Sequence, residues 1–409
     1  MLAFWARSRA PLLTCAIIGL GGLFAGVTGP LLSAFVPAFV QDALGTHRAA
    51  IGGVMAIDNI LLLVLVPLAG AASDRASTRG SGRLRIVIVG FVLAAIGMLL
   101  FPLSPRFGLA GIIAAMIALY SGINIQRAPF QSLLADAVPS RYRSLASGSV
   151  TFQMCAGAIL FLMLGRTLGA QTAFTIAAVT VVVIAVAMGL AVRETETAAT
   201  DEPSASLWTA IRVSLDGSVT GMRQIFLATL LLQMTFQMFT TWYALHGMER
   251  FGVGPEEVTT GFIAWAVGGV IGALPAGVIG GRIGRRNTML LGFATLALCL
   301  VALDRVSTVE QAVPWLALAS ASWTLPTVNA YPLFVEPLPR SSRGLLTAVF
   351  LLCTALGGAI GDPLNGVIFE TVGSYRPLFL MMAGYTVLAA VAVSFVPSGT
   401  GEAETGPAR

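Results

Sequence analysis

The sequence contains no lysine, so all 24 of its basic residues are arginine. A nucleotide-binding P-loop requires a lysine, which excludes ATP bound at such a loop as the energy source. Charged residues make up only 11% of the 409 residues, against about 25% in a typical soluble domain. A soluble fold of this composition has too little polar surface to cover itself, so a soluble enzyme and a disordered chain are both excluded.

Cysteine and histidine are also scarce, and their spacing excludes two kinds of site. The chain has two histidines and four cysteines, and each cysteine stands singly inside an apolar run. Neither a disulfide framework nor a metal site is expected, because no C-x-x-C or Cys/His cluster occurs. The arginines are dispersed through short loops without interleaved aromatics, which argues against nucleic-acid binding. We expect no cofactor and no bound metal.

Apolar residues dominate the sequence, at 56% of the chain and a mean hydropathy of +0.86. A membrane-spanning helix needs about 20 predominantly apolar residues. Twelve such runs predict an all-α membrane protein with twelve transmembrane helices and no enzymatic function. The predicted spans are 12–40, 50–72, 84–103, 109–137, 144–167, 170–192, 223–246, 258–280, 287–304, 311–337, 344–369 and 375–396.

The runs fall into two groups of six, separated by the one long polar segment. We predict an N-terminal six-helix bundle over 1–192, a cytoplasmic linker over 193–222, a C-terminal bundle over 223–396 and a cytoplasmic tail over 397–409. Arginines mark the cytoplasmic side of a membrane protein. With both termini in the cytoplasm, seventeen arginines lie inside, six lie outside, and Arg127 falls within a span. This predicts a multi-pass protein of the inner membrane with both termini in the cytoplasm. We also expect a monomer.

Two short patterns recur in the two halves. Gly70-x-x-x-Asp74-Arg75 after the second span matches Gly277-x-x-x-Gly281-Arg282 after the eighth, and Asp136-x-x-Pro139 after the fourth span matches Glu336-x-x-Pro339 after the tenth. A duplicated six-helix unit is the architecture of a secondary transporter that works by alternating access, with its substrate bound near the middle of the membrane.

These anchors resemble the loop motif of the major facilitator superfamily, Gly-x-x-x-Asp-Arg-x-Gly-Arg-Arg. Residues 277–286 fit it except at Gly281, and the first copy resembles the sucrose/proton symporters and the glycoside–pentoside–hexuronide cation symporters. Ile57-Asp58-Asn59, Arg127-Ala-Pro129 and Asn329-Ala-Tyr331-Pro332 are similar to the same group. The resemblance implies two pseudo-symmetric six-helix bundles and proton-coupled symport of a sugar or glycoside.

A second interpretation stays open, in which the chain is a proton-driven antiporter that exports a drug or a metabolite. Exporters of the superfamily usually have a Gly-x-x-x-Gly-Pro-x-x-Gly motif in the fifth span, and residues 144–167 contain no proline. Import is therefore favoured. A membrane receptor without transport activity is a third interpretation, which no residue pattern supports.

Ionisable groups inside the spans are the candidates for proton coupling. Each costs about 2.5–3.5 kcal/mol or more at the centre of a membrane helix, so a functional role is the default expectation. A carboxyl at Asp58 is suited to take up and release a proton, and Arg127, which stays protonated, is its expected partner. Asp362, beside Pro363, is the alternative proton site.

Amide and aromatic side chains in the spans suit a neutral, polar, polyhydroxylated ligand, although each one is also a plausible helix–helix contact. The predicted substrate-binding residues are Asn59, Asn124, Gln126, Gln153, Gln233, Gln237, Trp265, Trp323, Asn329 and Tyr331. The loop motif is predicted to gate the cytoplasmic face through Gly70, Asp74, Arg75, Gly277, Arg282, Arg285 and Arg286.

Overall fold

The computed structural model describes residues 2–77, 82–138, 142–192, 212, 221–335 and 343–396, and all regular elements in these ranges are helical. The chain divides into two compact units. Unit 1 comprises Met1–Asp201 with Gly254–Thr259, and unit 2 comprises Glu202–Val253 with Thr260–Arg409. The predicted tail and nearly all of the predicted linker lie outside the described residues, so the predicted domain boundaries remain predictions.

Unit 1 contains seven α-helices and one 3₁₀ segment within the described ranges. Their bounds are α1 Leu2–Leu44, α2 Arg48–Met55, α3 Ile57–Ser77, α4 Gly82–Leu100, the 3₁₀ segment Phe101–Phe107, α5 Gly108–Ala137, α6 Arg143–Leu168 and α7 Ala170–Ala191. Helices α2 and α3 together occupy the second predicted span, and the bonds from Ala56 N–H to the Gly52 carbonyl and from Ile60 N–H to the Ala56 carbonyl connect them.

Six helices follow in the second half of the chain. They are α8 Met222–Phe251, α9 Pro255–Ile283, α10 Arg285–Leu303, α11 Val309–Val335, α12 Arg343–Val372 and α13 Leu378–Ser394. Helix α9 bends by 43° between its segments Pro255–Ala273 and Pro275–Ile283. Proline removes a backbone donor and crowds the preceding turn, which accounts for a bend at this position.

Eight helical stretches in the described residues are long and apolar enough to cross a membrane, or nine if the bent helix α9 is one span. With α9 counted as one span, three features explain why nine stretches are found instead of the twelve predicted spans. Gly82–Leu134 counts once although it holds two predicted spans, Leu378–Ser394 is just short of the required length, and α11, with its three prolines, is not among the eight. Each of the twelve predicted spans is helical over most of its described residues.

Glycines determine how closely the helices of unit 1 approach one another. A Cβ atom added to Gly22 of α1 would lie 2.0 Å from the Val150 carbonyl oxygen of α6, and one added to Gly26 would lie 2.0 Å from the Met154 carbonyl oxygen. The backbones of α1 and α6 are therefore in direct contact, as in membrane helix pairs with small residues at the interface. Gly90, Gly97 and Gly122 bring α4 against α5 in the same way.

In unit 2, helix α8 packs against both α12 and α13. Its buried core includes Ile225, Leu232, Phe293, Cys353 and Val393. Close approach recurs between α9 and α11, where a Cβ on Gly268 would lie 2.0 Å from the Ala317 carbonyl oxygen. Both units therefore rely on small residues for helix packing, which positions the polar side chains described next.

Candidate functional site

The predicted proton site in unit 1 lies where α3 meets α5. The amide Nδ2 of Asn124 donates to Asp58 Oδ1 at 2.9 Å, and it also lies 3.4 Å from the Asp58 backbone carbonyl oxygen. Asn124 is fully buried, and its own Oδ1 atom has no hydrogen-bond partner within the described ranges. Asn59, the neighbour of Asp58, is buried as well. Asp58 therefore has a buried amide as its direct partner.

Arg127 does not form the expected ion pair. No hydrogen bond or ion pair within 4.0 Å joins it to Asp58 or to any other described residue, although its charge acts on Asp58 at longer range. The reason is register along α5. Asn124 lies level with Asp58, and Arg127 lies one turn further on the same face, with an exposed side chain.

Two other polar residues of unit 1 use their amide groups for hydrogen bonds within the protein, one of them between helices and the other within its own helix. Gln153 Nε2 donates to the Ala16 carbonyl of α1 at 2.9 Å and to Ser149 Oγ at 3.1 Å. Gln126 Nε2 donates to the Ile123 carbonyl of its own helix at 3.0 Å. Both were predicted to bind substrate, and both amide groups are used within the protein in this structure.

The first loop motif is organised by Arg83, which was not among the predicted gate residues. Arg83, at the start of α4, donates through Nη1 to Asp136 Oδ2 and through Nη2 to Asp74 Oδ1, the latter at 3.0 Å. One guanidinium thus connects both repeated anchors of the first half. The arginine-rich stretch after Arg75 was the available sequence signal. Gly70 packs toward Ala128 of α5, and the Arg75 side chain is exposed.

The second loop motif is used differently. Arg286 donates to the Val393 carbonyl at 3.3 Å and to the Ser394 carbonyl at 2.6 Å, at the end of α13. A cation at a helix C-terminus satisfies carbonyls that have no partner within the helix. Gly277 has open space around it, and Arg282 is exposed. Arg285 follows Gly284, whose positive φ of 81° places it in a region that favours glycine.

Unit 2 places most of its predicted aromatic residues in one continuous cluster. Trp265 stacks on Phe239 with a centroid distance of 4.1 Å, and Trp323 stacks on Phe236 at 4.8 Å. The two tryptophans are 6.1 Å apart. Trp323 Nε1 is buried without a hydrogen-bond partner among the described residues. The two phenylalanines were not predicted as site residues, because their spacing on α8 resembles that of ordinary core residues.

The predicted polar residues of unit 2 are of two kinds. Some donate hydrogen bonds to neighbouring helices, and others are partly exposed. Asn329 Nδ2 donates to the Ala276 carbonyl of α9 at 3.2 Å, which makes it a helix–helix contact. Gln233 Nε2 donates to Thr354 Oγ1 at 3.0 Å. Gln237 is half-buried one turn further along α8, and Tyr331 is 38% exposed on α11.

The alternative proton site, Asp362, is fully buried in α12. Asn365 lies one turn away and is also fully buried, and its Oδ1 accepts a hydrogen bond of 2.8 Å from the Tyr385 hydroxyl of α13. A carboxyl inside a span beside a proline is costly to bury, and such groups are commonly functional. Within the described residues, no group of three or more His, Cys, Asp or Glu side chains forms a metal site.

Solved structures with the same fold include two transporters. The nucleoside transporter NupG superimposes with a TM-score of 0.77 at 13% identity, covering 94% of this chain and 99% of that one. A bacterial homologue of the human lysosomal transporter Spinster, in an inward-facing and occupied conformation, has a TM-score of 0.73 at 13% identity. That match covers 95% of this chain and 96% of the other. At these identities the likeness shows the fold.

Sequence comparison identifies the family. Magnetosome protein MamH of Paramagnetospirillum magneticum is 23% identical over 398 residues, which covers 89% of this chain and 88% of that protein. The family model of the Major Facilitator Superfamily matches residues 17–303 and 225–408, which together span both halves. The all-helical fold, the two-unit division and the duplicated loop motif agree with that match. The chain therefore belongs to the Major Facilitator Superfamily.

Proposed function

We propose that the chain is a secondary active transporter that moves a sugar or glycoside by alternating access, in symport with protons. Membership of the Major Facilitator Superfamily supports secondary transport of a small molecule across the membrane. The proton, the direction of transport and the polyhydroxylated substrate are the proposed parts. The observation on which the coupling depends is the hydrogen bond between Asp58 and Asn124.

An asparagine is a suitable partner for a carboxyl that gains and loses a proton. An ionised Asp58 can only accept hydrogen bonds, and the bond that Asn124 Nδ2 donates to its Oδ1 suits that form. When Asp58 is protonated, its hydroxyl is a donor, and Asn124 Oδ1 is a buried acceptor with no other partner in the described residues. An amide group has both a donor and an acceptor. Rotation of the Asn124 amide therefore serves both protonation states without leaving the half-buried carboxyl unpaired.

The substrate residues are proposed from the aromatic cluster of unit 2. Trp265 and Trp323 offer aromatic faces to a sugar ring, and Gln233 and Gln237 offer amide groups on the adjacent α8. The buried indole N–H of Trp323 has no described acceptor, and buried donors in native structures are normally paired. A substrate hydroxyl or ring oxygen would supply the missing acceptor.

One solved neighbour is a nucleoside transporter, and nucleosides are themselves glycosides, so they belong among the test compounds. The test uses purified protein in proteoliposomes, with the external pH recorded as sugars, glycosides and nucleosides are added outside. Symport predicts that the external medium becomes more alkaline, because protons enter with the substrate. Antiport predicts acidification, and that result would favour the exporter interpretation.

The matched variants are Asp58→Asn and Asp42→Asn, since Asp42 is an exposed carboxylate near the end of α1. We expect Asp58→Asn to abolish uphill accumulation while preserving exchange of labelled for unlabelled substrate, because exchange requires no net proton movement. Asp42→Asn should behave as wild type. Full accumulation by Asp58→Asn would move the coupling site to Asp362, and a panel in which no compound moves would contradict the proposal.

A further inference from the structure

Helix α12 of unit 2 has a carboxyl group in its interior. Asp362 is fully buried, ten residues before the helix ends at Val372, which is about 15 Å along the helix axis. Helix α12 packs against α8 and α11, and α13 reaches it through the Tyr385 hydroxyl. A carboxyl group is costly at such a position in a membrane protein, so its presence there indicates a function.

The surroundings of Asp362 are otherwise almost free of charge. Over the described ranges, every other charged residue of α8, α11 and α12 lies in the first or last turn of its helix, and α13 has none. These residues are Arg223, Glu249, Arg250, Glu310, Arg343 and Glu370. The buried imidazole of His246 on α8 is bonded through Nδ1 to the Tyr375 carbonyl at 2.8 Å. The partners that serve Asp362 locally are therefore polar groups of α12 itself.

Asn365 supplies a hydrogen-bond donor on the same face of α12. It follows Asp362 by three residues, and side chains at this spacing have Cβ atoms about 5–6 Å apart. Asn365 is fully buried, and its Oδ1 accepts the 2.8 Å hydrogen bond from Tyr385. Its buried Nδ2 has no acceptor among the residues that the structure describes, although buried donors in native structures are normally paired. Tyr385 thus fixes the amide so that Nδ2 is available to an ionised Asp362.

Pro363 supplies an acceptor for the protonated form. Proline has no backbone N–H, so the Ala359 carbonyl, four residues earlier, loses its donor within the helix. Short polar side chains reach the carbonyl three residues back, as the Thr324 hydroxyl does to Ala321 at 2.7 Å. The same spacing relates Asp362 to Ala359, so a protonated Asp362 has a carbonyl to which its hydroxyl can donate.

Each protonation state of Asp362 therefore has a local partner, as Asn124 provides for Asp58. We propose that Asp362 is a second proton carrier, and that two protons, one on each carboxyl, cross with every substrate molecule. One Oδ of ionised Asp362 takes up a proton from water on one side of the membrane and releases it to water on the other. This inference rests on the proposed function, and it makes Asp362 an addition to Asp58 instead of an alternative.

The number of protons is measured on wild type in proteoliposomes, with methyl β-glucoside and uridine as probes. A tenfold gradient of a neutral solute is balanced by a proton-motive force of about 59 mV if one proton is coupled, and of about 30 mV if two are coupled. With a tenfold higher concentration inside, we expect the net flux to reverse near the lower value. Reversal near the higher value would overturn the second proton and leave the proposed symport intact. Movement of neither probe would contradict the proposed function, and proton binding would then decide the role of Asp362.

Proton binding is tested without substrate by infrared spectroscopy of the purified protein, which detects the carbonyl band of a protonated carboxyl. As the pH is raised, Asp58→Asn should lose one band that the double variant Asp58→Asn with Asp362→Asn lacks from the start. If the two variants lose the same bands, Asp362 does not titrate and the inference is overturned. In transport, Asp362→Asn should lose uphill accumulation and keep exchange, as expected for Asp58→Asn, whereas wild-type accumulation would also overturn the inference.

The role of Tyr385 as a positioning residue is tested by the pH at which the Asp362 band is lost. Losing a hydrogen bond to a charged group typically costs about 10- to 100-fold, so Asn365→Leu should raise that pH by about one to two units. Tyr385→Phe frees the Asn365 amide to rotate and should shift it in the same direction. The matched control is Tyr243→Phe, which removes a buried hydroxyl of α8 with no partner in the described ranges and should cause no shift. An unchanged pH in Asn365→Leu would overturn the pairing of Asn365 with Asp362, and the wild-type flux reversal would still count the protons.

Discussion

The bridge made by Arg83 predicts that its two carboxylate partners contribute very unequally to stability. The Arg83 side chain is 12% exposed and that of Asp136 is 16% exposed, whereas that of Asp74 is 68% exposed. Breaking a largely buried ion pair by removing one partner costs about 3–5 kcal/mol, and an exposed pair is worth about 0–1 kcal/mol. Because some solvent reaches both groups, we take about 3 kcal/mol for Asp136→Asn and under about 1 kcal/mol for Asp74→Asn.

These free energies convert into melting temperatures that are readily distinguished. For a folded unit of 150–250 residues, each kcal/mol shifts Tm by about 2–4 °C. Asp136→Asn should therefore lower Tm by about 6–12 °C, and Asp74→Asn by less than about 4 °C. A dye that fluoresces on reaction with thiols is a suitable probe in detergent, because Cys15, Cys299 and Cys353 are buried in the folded protein.

A double-mutant cycle isolates the interaction itself. Arg83→Gln combined with Asp136→Asn should be less destabilising than the sum of the single changes by more than about 0.5 kcal/mol. The cycle of Arg83→Gln with Asp74→Asn should be close to additive. If Asp74→Asn lowers Tm as much as Asp136→Asn, burial does not determine the strength of these pairs, and the reasoning from exposure is refuted.

Two further predictions concern packing and topology. Gly22→Leu should sharply reduce the yield of folded protein, because the new side chain would meet the α6 backbone at the Val150 carbonyl. Gly29 has open space around it, so Gly29→Leu should be tolerated. Fluorescence-detected size-exclusion chromatography measures the yield of both variants, and equal yields would contradict the contact. From the arginine count, a reporter inserted after Arg106 should lie outside the cell, and one inserted after Val192 should lie in the cytoplasm. The opposite location at both positions would refute the predicted orientation.

The sequence by itself determined the fold class and the positions of the helices. Apolar runs of the length of a membrane span cannot be solvated by water, so the predicted span 109–137 is found as α5 Gly108–Ala137, and 170–192 as α7 Ala170–Ala191. The duplicated loop motif likewise indicated the superfamily. These features depend on composition, length and short motifs, which are properties of neighbouring residues in the chain.

Only the tertiary structure decided which polar side chains meet. Whether Asn124 or Arg127 reaches Asp58 depends on the rotation and register of α5 against α3, and a difference of one turn separates a direct hydrogen bond from a longer-range interaction. Gln153 and Asn329 donate to neighbouring helices for the same reason, since close glycine contacts bring those backbones within reach. Such contacts join residues more than 50 positions apart, and helical periodicity alone does not determine the distance between two helices.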